Sequence, residues 1–219
     1  MTSRPFPIRF LVLLASMASA LASATATWAV PPSLPFKEPW PGNSVQGWNG
    51  GSTASNPGLG GVEGDGFLLI TQATSGKMGL KNQDDVYLGD WKAANITRVR
   101  FSLNDVNAAD PLEIHFSIGT FQNFWQYNPG FIPPFHSWGA FTVDLTDETK
   151  FTQIIGTSPL SFDEALRNVA VIHFRHDMPP FFQSPDNVSG DVGVDDLILD
   201  NPSTPTLETT WGRIKQLYR

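Results

Sequence analysis

Residues 121–138, FQNFWQYNPGFIPPFHSW, place seven aromatic side chains among amide and imidazole groups. Neither a twofold nor a 3.6-residue period fits the whole stretch. Asn128-Pro129-Gly130 predicts a turn, and Pro133-Pro134 excludes a helix or a central strand. We therefore predict that most of this stretch is a surface loop. Phe121 and Trp138, at its ends, are assigned to the core through the flanking strands.

The remaining aromatic side chains of this loop leave two alternatives open. They form a small local core over a sheet edge, or they form a platform on which sugar rings stack while polar neighbours bond to the hydroxyls. Trp125 and Tyr127 are the predicted stacking pair, because each combines a ring with a polar tip. The candidate ligand-binding residues are Phe124, Trp125, Gln126, Tyr127, Asn128 and His136. A second aromatic loop, MPPFFQSPDN at 178–187, is expected to lie beside them.

Two adjacent acids interrupt an apolar run near the end of the chain. Asp195 and Asp196 shift the phase of DVGVDDLIL at 191–199, which predicts a β-bulge or an inward-pointing carboxylate. A buried carboxylate needs a partner, and calcium, which binds six to eight oxygen atoms, would supply one. An exposed acidic turn, or an aspartate bonded to backbone amides, is the alternative.

Signatures of catalysis are absent from the sequence. It contains no Gly-x-Ser-x-Gly elbow and no His-Glu-x-x-His motif. His173 and His176 are three residues apart, which places them on opposite faces of a strand and makes them a poor zinc pair. His173 and Arg175 are expected on a solvated face. The sequence therefore predicts a protein that is not an enzyme.

The N-terminal residues 1–29 have the layout of a secretory signal peptide, with Arg4 and Arg9 followed by a short apolar run and small residues. Without them, 12 basic residues stand against 21 acidic ones, a net charge of −9. Such a domain repels phosphate backbones, so nucleic acid is excluded as a partner. The chain has no cysteine and therefore no disulfide. We expect a secreted protein, extracellular or at the cell surface, that does not span the membrane after cleavage.

Alternating apolar and polar residues predict the elements that must position these groups. TRVRFSL at 97–103, LEIHFSI at 112–118 and AFTVDL at 140–145 each have the twofold period of a half-buried strand. Ser161 and Glu164 fit a helix capping box. The predicted fold class is all-β: an antiparallel β-sandwich (jelly roll) with one short helix and a C-terminal amphipathic tail helix.

The chain divides into four predicted segments. They are the signal peptide (1–29), a proline-rich lead-in (30–44), the jelly-roll sandwich (45–201), and a linker with a basic amphipathic segment (202–219). In the last segment, apolar residues recur at helical spacing between basic ones. It is interpreted either as a tag that contacts a sorting or attachment machinery, or as a helix that docks on the body or is disordered.

Several motifs, taken in order, resemble the laminin type IV (laminin B) domain and its bacterial relatives. They are Asn56-Pro57-Gly58, Leu88-Gly89-Asp90, the strand from Trp138 to Leu145, and Val194-Asp195-Asp196-Leu197. The resemblance covers roughly residues 45–200 and departs from the pattern at Phe151 and in the insertion 121–138. It implies a galactose-binding-like jelly roll, related to bacterial carbohydrate-binding modules.

The resemblance also implies a function. A non-catalytic module that binds extracellular or cell-surface glycan is expected first. An extracellular protein-interaction or matrix protein, and a small glycan-active enzyme, are the alternatives. Carbohydrate-binding modules often hold a structural calcium near their terminal strands. Glu38, in FKEPW, resembles their N-terminal acidic ligand, so the implied calcium ligands are Glu38, Asp195 and Asp196.

Overall fold

The computed structural model describes residues 33–108, 110–156 and 160–202, which form twelve strands and one α-helix. The strands are β1 (Phe36–Lys37), β2 (Asn49–Gly50), β3 (Thr53–Ser55), β4 (Leu68–Lys77), β5 (Gly79–Asn82), β6 (Arg98–Ala108), β7 (Ile114–Thr120), β8 (Asn123–Tyr127), β9 (Gly139–Asp144), β10 (Phe151–Gly156), β11 (Val171–His176) and β12 (Asn187–Asp200). The helix is α1 (Phe162–Arg167). The all-β prediction is confirmed for the described residues.

The strands form two six-stranded antiparallel sheets. The back sheet has the order β3-β4-β12-β6-β9, and β1 also pairs with β12. The front sheet has the order β10-β8-β7-β11-β5-β2. Strands distant in the chain are neighbours in both sheets, as in a jelly roll.

The core lies between the two sheets and follows the alternation in the sequence. Val99, Phe101 and Leu103 of β6 are buried, as their twofold period predicts. Phe101 meets Phe174 of β11 edge-on, with ring centroids 4.8 Å apart. Because β6 belongs to the back sheet and β11 to the front sheet, this pair joins the inner faces of the sandwich.

The capping box of the short helix is confirmed. The Ser161 hydroxyl accepts a hydrogen bond from the Glu164 backbone N–H, and the Glu164 carboxylate accepts one from the Ser161 backbone N–H. Phe162 at the start of α1 stacks on Phe151 of β10, with centroids 4.2 Å apart. This contact fixes the helix at the β10 edge of the front sheet.

The predicted irregularity in the last strand is also confirmed. The pairing of β12 with β6 shifts register between Asp195 and Ile198, and Asp196 has a φ of +49°. The bulge turns the Asp195 carboxylate inward, where it is buried, and leaves Asp196 at the surface.

The body begins earlier than residue 45. Strand β1, Glu38 and Trp40 all lie in the stretch predicted as lead-in, yet β1 pairs with β12 and the other two are buried. The signal peptide predicted over 1–29 and the tail helix predicted after residue 202 lie outside the described residues. Within the described ranges, no helix has the length and apolar character to cross a membrane.

Candidate functional site

The stretch 121–138 contains a strand in place of the predicted loop. β8 (Asn123–Tyr127) pairs with β7 on one side and β10 on the other, so the expectation that most of this stretch is loop is wrong for these five residues. Side chains alternate across β8. Trp125 and Tyr127 therefore point to one face of the front sheet, and Phe124 and Gln126 to the other.

Trp125 and Tyr127 face the core. Tyr127 is buried, stacks on Phe131 at 5.7 Å and meets Phe151 edge-on. Trp125 meets Phe162 edge-on, and its indole Nε1 donates to the Asn123 side-chain oxygen at 2.7 Å. The prediction of a surface platform on Tyr127 is wrong, because its ring is part of the sandwich core. The alternative of a local core describes these rings better.

The two aromatic residues assigned to the core lie elsewhere. Phe121 is 56% exposed, because it sits in the turn between β7 and β8, beyond the ends of the paired strands. Trp138 is half-buried on the outside of the back sheet, where its ring lies over Gly193 and meets Phe67 edge-on. Both assignments to the core between the sheets are therefore wrong.

Asn128 and His136 are separated from the rest of the predicted set. Asn128 is half-buried just after β8, and its backbone N–H donates to the Lys150 carbonyl. His136 is exposed, has a φ of +52°, and stacks on Phe135. Its backbone N–H donates to the Asp105 carbonyl of β6, so His136 lies beside the back sheet.

Phe124 and Gln126 lie on the outer face of the front sheet, where cross-strand register assembles a row of polar side chains. Gln126 is opposite Ser117 of β7, Ser117 is opposite His173 of β11, and His173 is opposite Lys81 of β5. Residues directly opposite each other share a face of a sheet. His115 and Arg175, also paired with each other, extend the same face.

Much of this polar face is buried. We define the polar cluster as His115, Ser117, Gln126, Arg175 and Asp177, all of which are buried. The predictions of a solvated Arg175 and a half-buried β7 are wrong here, because Arg175 is only 1% exposed. Its guanidinium donates to the Asp177 carboxylate at 2.7 Å.

Several atoms of the polar cluster have no hydrogen-bond partner among the described protein groups. They are His115 Nε2, Ser117 Oγ, Arg175 Nε and both side-chain polar atoms of Gln126, although the Gln126 amide lies close enough to the Asp177 carboxylate to lower its pKa. Glu113 Oε1 lies 3.3 Å from His115 Nε2 but makes no hydrogen bond of good geometry with it. Buried polar groups are nearly always bonded to protein or to ordered water, so these five atoms on one face are available to bond to water or to a ligand.

The segment 178–186, which we call the roof, packs against His115 and Arg175 of the polar cluster. The Phe181 ring meets His115 edge-on at 5.0 Å. Arg175 donates to the carbonyls of Phe182 and Gln183 at 2.7 and 3.0 Å. The roof corresponds to the second aromatic loop, and the expectation that it lies beside the first is confirmed, because Gln183 and Phe124 line one cavity.

That cavity is an open groove next to the roof, with a volume of about 170 Å³. Its wall is mostly apolar, with polar groups at intervals. The residues that define the groove are Lys81, Phe121, Phe124, His173, Arg175 and Gln183. The Lys81 ammonium lies 5.3 Å from the centroid of the Phe121 ring, a cation–π contact at the groove mouth.

The histidine that lines the groove is uncharged near neutral pH. Burial, together with the positive charges of Arg175 and Lys81, lowers the pKa of His173 to about 3, so its ring is neutral. Burial also raises the pKa of Asp177, while Arg175 opposes this shift. A neutral imidazole carries one donor and one acceptor, which suits a hydroxyl group.

The three predicted calcium ligands have separate protein partners. Glu38 accepts a hydrogen bond from the Tyr87 hydroxyl in the core, and Asp196 pairs with Lys37 at 2.7 Å. Asp195 accepts from the backbone N–H groups of Val62 and Asp196. In the described ranges, no three His, Asp or Glu residues are grouped to hold a metal ion. Calcium binding stays a prediction from sequence.

Comparison with known families and curated proteins identifies no relative: no family model and no curated protein matches this chain. Solved structures do match its fold. The xylan-binding CBM22-1 domain of Xyn10C from Paenibacillus barcinonensis aligns with a TM-score of 0.50 and 12% identity, over 80% of this chain and 100% of that one. An exo-β-agarase aligns with a TM-score of 0.51 and 13% identity, over 79% of this chain and 26% of that one.

A family 11 carbohydrate-binding module from Clostridium thermocellum, solved with a β-1,3-1,4-mixed-linked tetrasaccharide, also aligns. Its TM-score is 0.48 and its identity 17%, over 72% of this chain and 91% of that one. At these identities the likeness concerns the fold. The chain is an antiparallel jelly-roll β-sandwich with one helix, like carbohydrate-binding modules. The narrower resemblance to the laminin type IV domain stays a prediction.

Proposed function

We propose that this chain is a non-catalytic module that binds glycan on the outer face of its front sheet. The observation that carries the proposal is the meeting of two kinds of surface there. The groove supplies the exposed ring of Phe121, beside the mostly buried ring of Phe124, together with the polar side chains of Lys81, His173 and Gln183. Rings stack on the apolar faces of sugars, and neighbouring polar groups bond to the hydroxyls.

The fold supports the same proposal. The xylan-binding CBM22-1 domain shares the jelly-roll architecture along its whole length. Fold alone does not determine function, so the weight rests on the face itself. The sequence prediction placed the binding residues on β8 and its flanks. The proposal retains Phe124 and Gln126 from that set and adds Phe121, Lys81 and His173.

The composition of the groove supports binding without catalysis. Glycoside hydrolysis uses two carboxyl groups on either side of the scissile bond. No carboxylate is among the described residues that line the groove. Asp177, in the adjoining polar cluster, is paired with Arg175. Such a face can hold a sugar chain and offers no pair of acids to cleave it.

Because residues 1–29 resemble a secretory signal peptide, the proposed partner is an extracellular or cell-surface glycan. A structural calcium at Glu38, Asp195 and Asp196, and contact of the basic tail with a sorting machinery, remain predictions that accompany it. The alternative is an extracellular protein partner at the same face.

Affinity electrophoresis of the full chain in gels containing xylan or mixed-linkage β-glucan tests the proposal. Phe121→Ala removes an exposed ring from the groove mouth and is expected to abolish most of the retardation. Leu59→Ala is the matched control, because Leu59 is 68% exposed and does not line the groove. Equal retardation of the two variants, or none of the wild type on either glycan, contradicts the proposal.

A further inference from the structure

We infer that the roof is a displaceable cover over a second part of the glycan site, and that a neutral sugar chain bound in the groove extends beneath it onto the polar cluster. This inference rests on the proposed function and specifies both the class of glycan and the way in which the site is regulated. Four observations carry it: the orphaned atoms of the cluster, their mixed hydrogen-bonding character, the weak attachment of the roof, and the shared wall of cluster and groove.

The polar cluster offers donors and acceptors together. His115 Nδ1 lies 2.8 Å from the Tyr127 carbonyl oxygen, which can only accept, so Nδ1 donates to it and Nε2 is left without a hydrogen bond of good geometry. Arg175 Nε is a donor. The Gln126 amide, which faces the Asp177 carboxylate, and the Ser117 hydroxyl each provide both functions, and none of these atoms makes a hydrogen bond of good geometry within the described protein. A sugar hydroxyl also donates and accepts, so it can satisfy every one of them.

Charge favours a neutral sugar over an acidic one. The Arg175 guanidinium is already paired with the Asp177 carboxylate at 2.7 Å. The Glu113 carboxylate lies 3.3 Å from His115 Nε2 and would repel an anionic group. Over the whole chain, acids exceed bases by seven. A uronic acid would therefore meet no free positive charge in the polar cluster.

Few hydrogen bonds join the roof to the front sheet. Within the described part of the chain, no backbone–backbone hydrogen bond joins residues 178–186 to a strand. Its attachments include the two carbonyl groups that accept from Arg175, the contact of Phe181 with His115, and the attraction between the Asp186 carboxylate and Arg175. Phe182 is 62% exposed, so much of the roof's apolar surface contributes nothing to closure.

The closed state has a built-in cost. Buried polar atoms without partners destabilise it, whereas an open state exposes them to water or to ligand hydroxyls. The groove adjoins the polar cluster at Arg175, because this residue lines the groove and is also a member of the polar cluster. A chain already held by the groove rings therefore has its next hydroxyls beside the edge of the roof. Sugar binding then shifts the equilibrium of the roof toward its open state, because the sugar hydroxyls form hydrogen bonds with the polar cluster only when the roof is open.

Phe181→Ala tests the inference by removing the ring that seals His115 while leaving the groove residues in place. The apparent Kd of a site closed most of the time is raised by the fraction that is open. The full-length variant is therefore expected to bind xylohexaose or a mixed-linkage glucan hexasaccharide about tenfold more tightly than the wild type. Phe135→Ala, which removes an exposed ring beside the back sheet, is the control and should leave the Kd unchanged.

A thiol introduced under the roof reports opening independently of affinity. The chain has no cysteine, so Ser117→Cys places a single thiol of similar size in the polar cluster. Its reaction with a small disulfide reagent should be about tenfold faster with Phe181→Ala than without it. Addition of the hexasaccharide to that double variant should then shield the thiol.

Three outcomes overturn the inference. If Phe181→Ala binds the hexasaccharides with wild-type Kd, or bound sugar leaves the thiol rate unchanged, sugar binds only the groove and the proposed function stands without the roof. If polygalacturonate binds more tightly than the neutral hexasaccharides, the assigned class of glycan is wrong. If neither the wild type nor Phe181→Ala binds any of these probes, both the inference and the proposed function fail.

Discussion

Gln126→Met is expected to make the protein more stable and to weaken glycan binding. Gln126 is fully buried on β8, where its amide faces the Asp177 carboxylate but neither of its polar atoms makes a hydrogen bond of good geometry. Met has nearly the same length and shape, carries no polar hydrogen-bonding group that must be satisfied, and adapts to irregular surroundings. A buried polar residue that weakens the fold is expected in a binding site, where it bonds to a ligand, and is not expected in a hydrophobic core.

The magnitude follows from the two orphaned atoms. Each buried polar group without a partner costs about 1–3 kcal/mol, so their removal is worth about 2 kcal/mol or more. For a domain of this size, each kcal/mol raises the melting temperature by about 2–4 °C. Gln126→Met should therefore raise the melting temperature by about 4–8 °C. Differential scanning calorimetry of the purified full chain measures this shift.

Gln153→Met is the matched control on the neighbouring strand β10. The Gln153 amide donates to the Asn123 side-chain oxygen at 2.8 Å and to the Leu160 carbonyl at 3.3 Å. Loss of these bonds should lower stability by about 1–2 kcal/mol. If Gln126→Met instead lowers the melting temperature as Gln153→Met does, Gln126 is a satisfied structural residue. The role of the polar cluster in binding would then be refuted.

Three further predictions concern the back sheet and its N-terminal partner. Burial raises the pKa of Glu38 from 4.5 to about 7. Its protonated form is therefore favoured in the folded state, and the stability it contributes is complete below pH 4.5 and lost as the pH rises through 7. Glu38→Gln should remove this loss of about 3 kcal/mol in the free energy of unfolding. Urea unfolding of the variant and the wild type at pH values from 4 to 8 measures the difference. If the free energies of the two proteins change in parallel with pH, the raised pKa of Glu38 is contradicted. Asp200→Asn breaks the buried carboxylate's ion pairs with Arg98 and Arg100 and should cost about 2 kcal/mol in urea unfolding at pH 7; an unchanged midpoint would show that the pairs contribute nothing. The calcium prediction requires a chelator to lower the melting temperature, because a ligand bound only by the native state stabilises it; no change on chelation contradicts it.

The sequence predicted those parts of the fold in which one face of a strand is buried and the other is wet. β6 follows its alternating pattern because Arg98 and Arg100 remain partly exposed while Val99 and Phe101 enter the core. The Ser161 capping box and the bulge at Asp195 depend on local chemistry alone, and both are present. Local patterns of this kind need no knowledge of distant contacts.

The pattern failed where a distant segment covers the outer face. His115 and Ser117 look solvent-facing on β7, but both are buried, and Phe181 of the roof, some 60 residues later, packs against His115. On β8, Phe124 and Gln126 are buried on the outer face and Tyr127 on the inner, so no alternation is visible. Tertiary covering of this kind overrides the period of a strand. The second aromatic loop at 178–187 was the signal in the sequence that this outer face is covered, because its apolar rings favour packing against another surface.

The location of the bound glycan tests the central claim most directly. Carbene footprinting of the full chain, with and without xylohexaose or a mixed-linkage glucan hexasaccharide, measures the protection of individual side chains. The proposal predicts that bound sugar protects Phe121 and Lys81 at the groove mouth and leaves Phe135 and Leu59 labelled as in the free protein. Protection confined to Phe135, His136 and Trp138 would place the sugar beside the back sheet and contradict the proposed site.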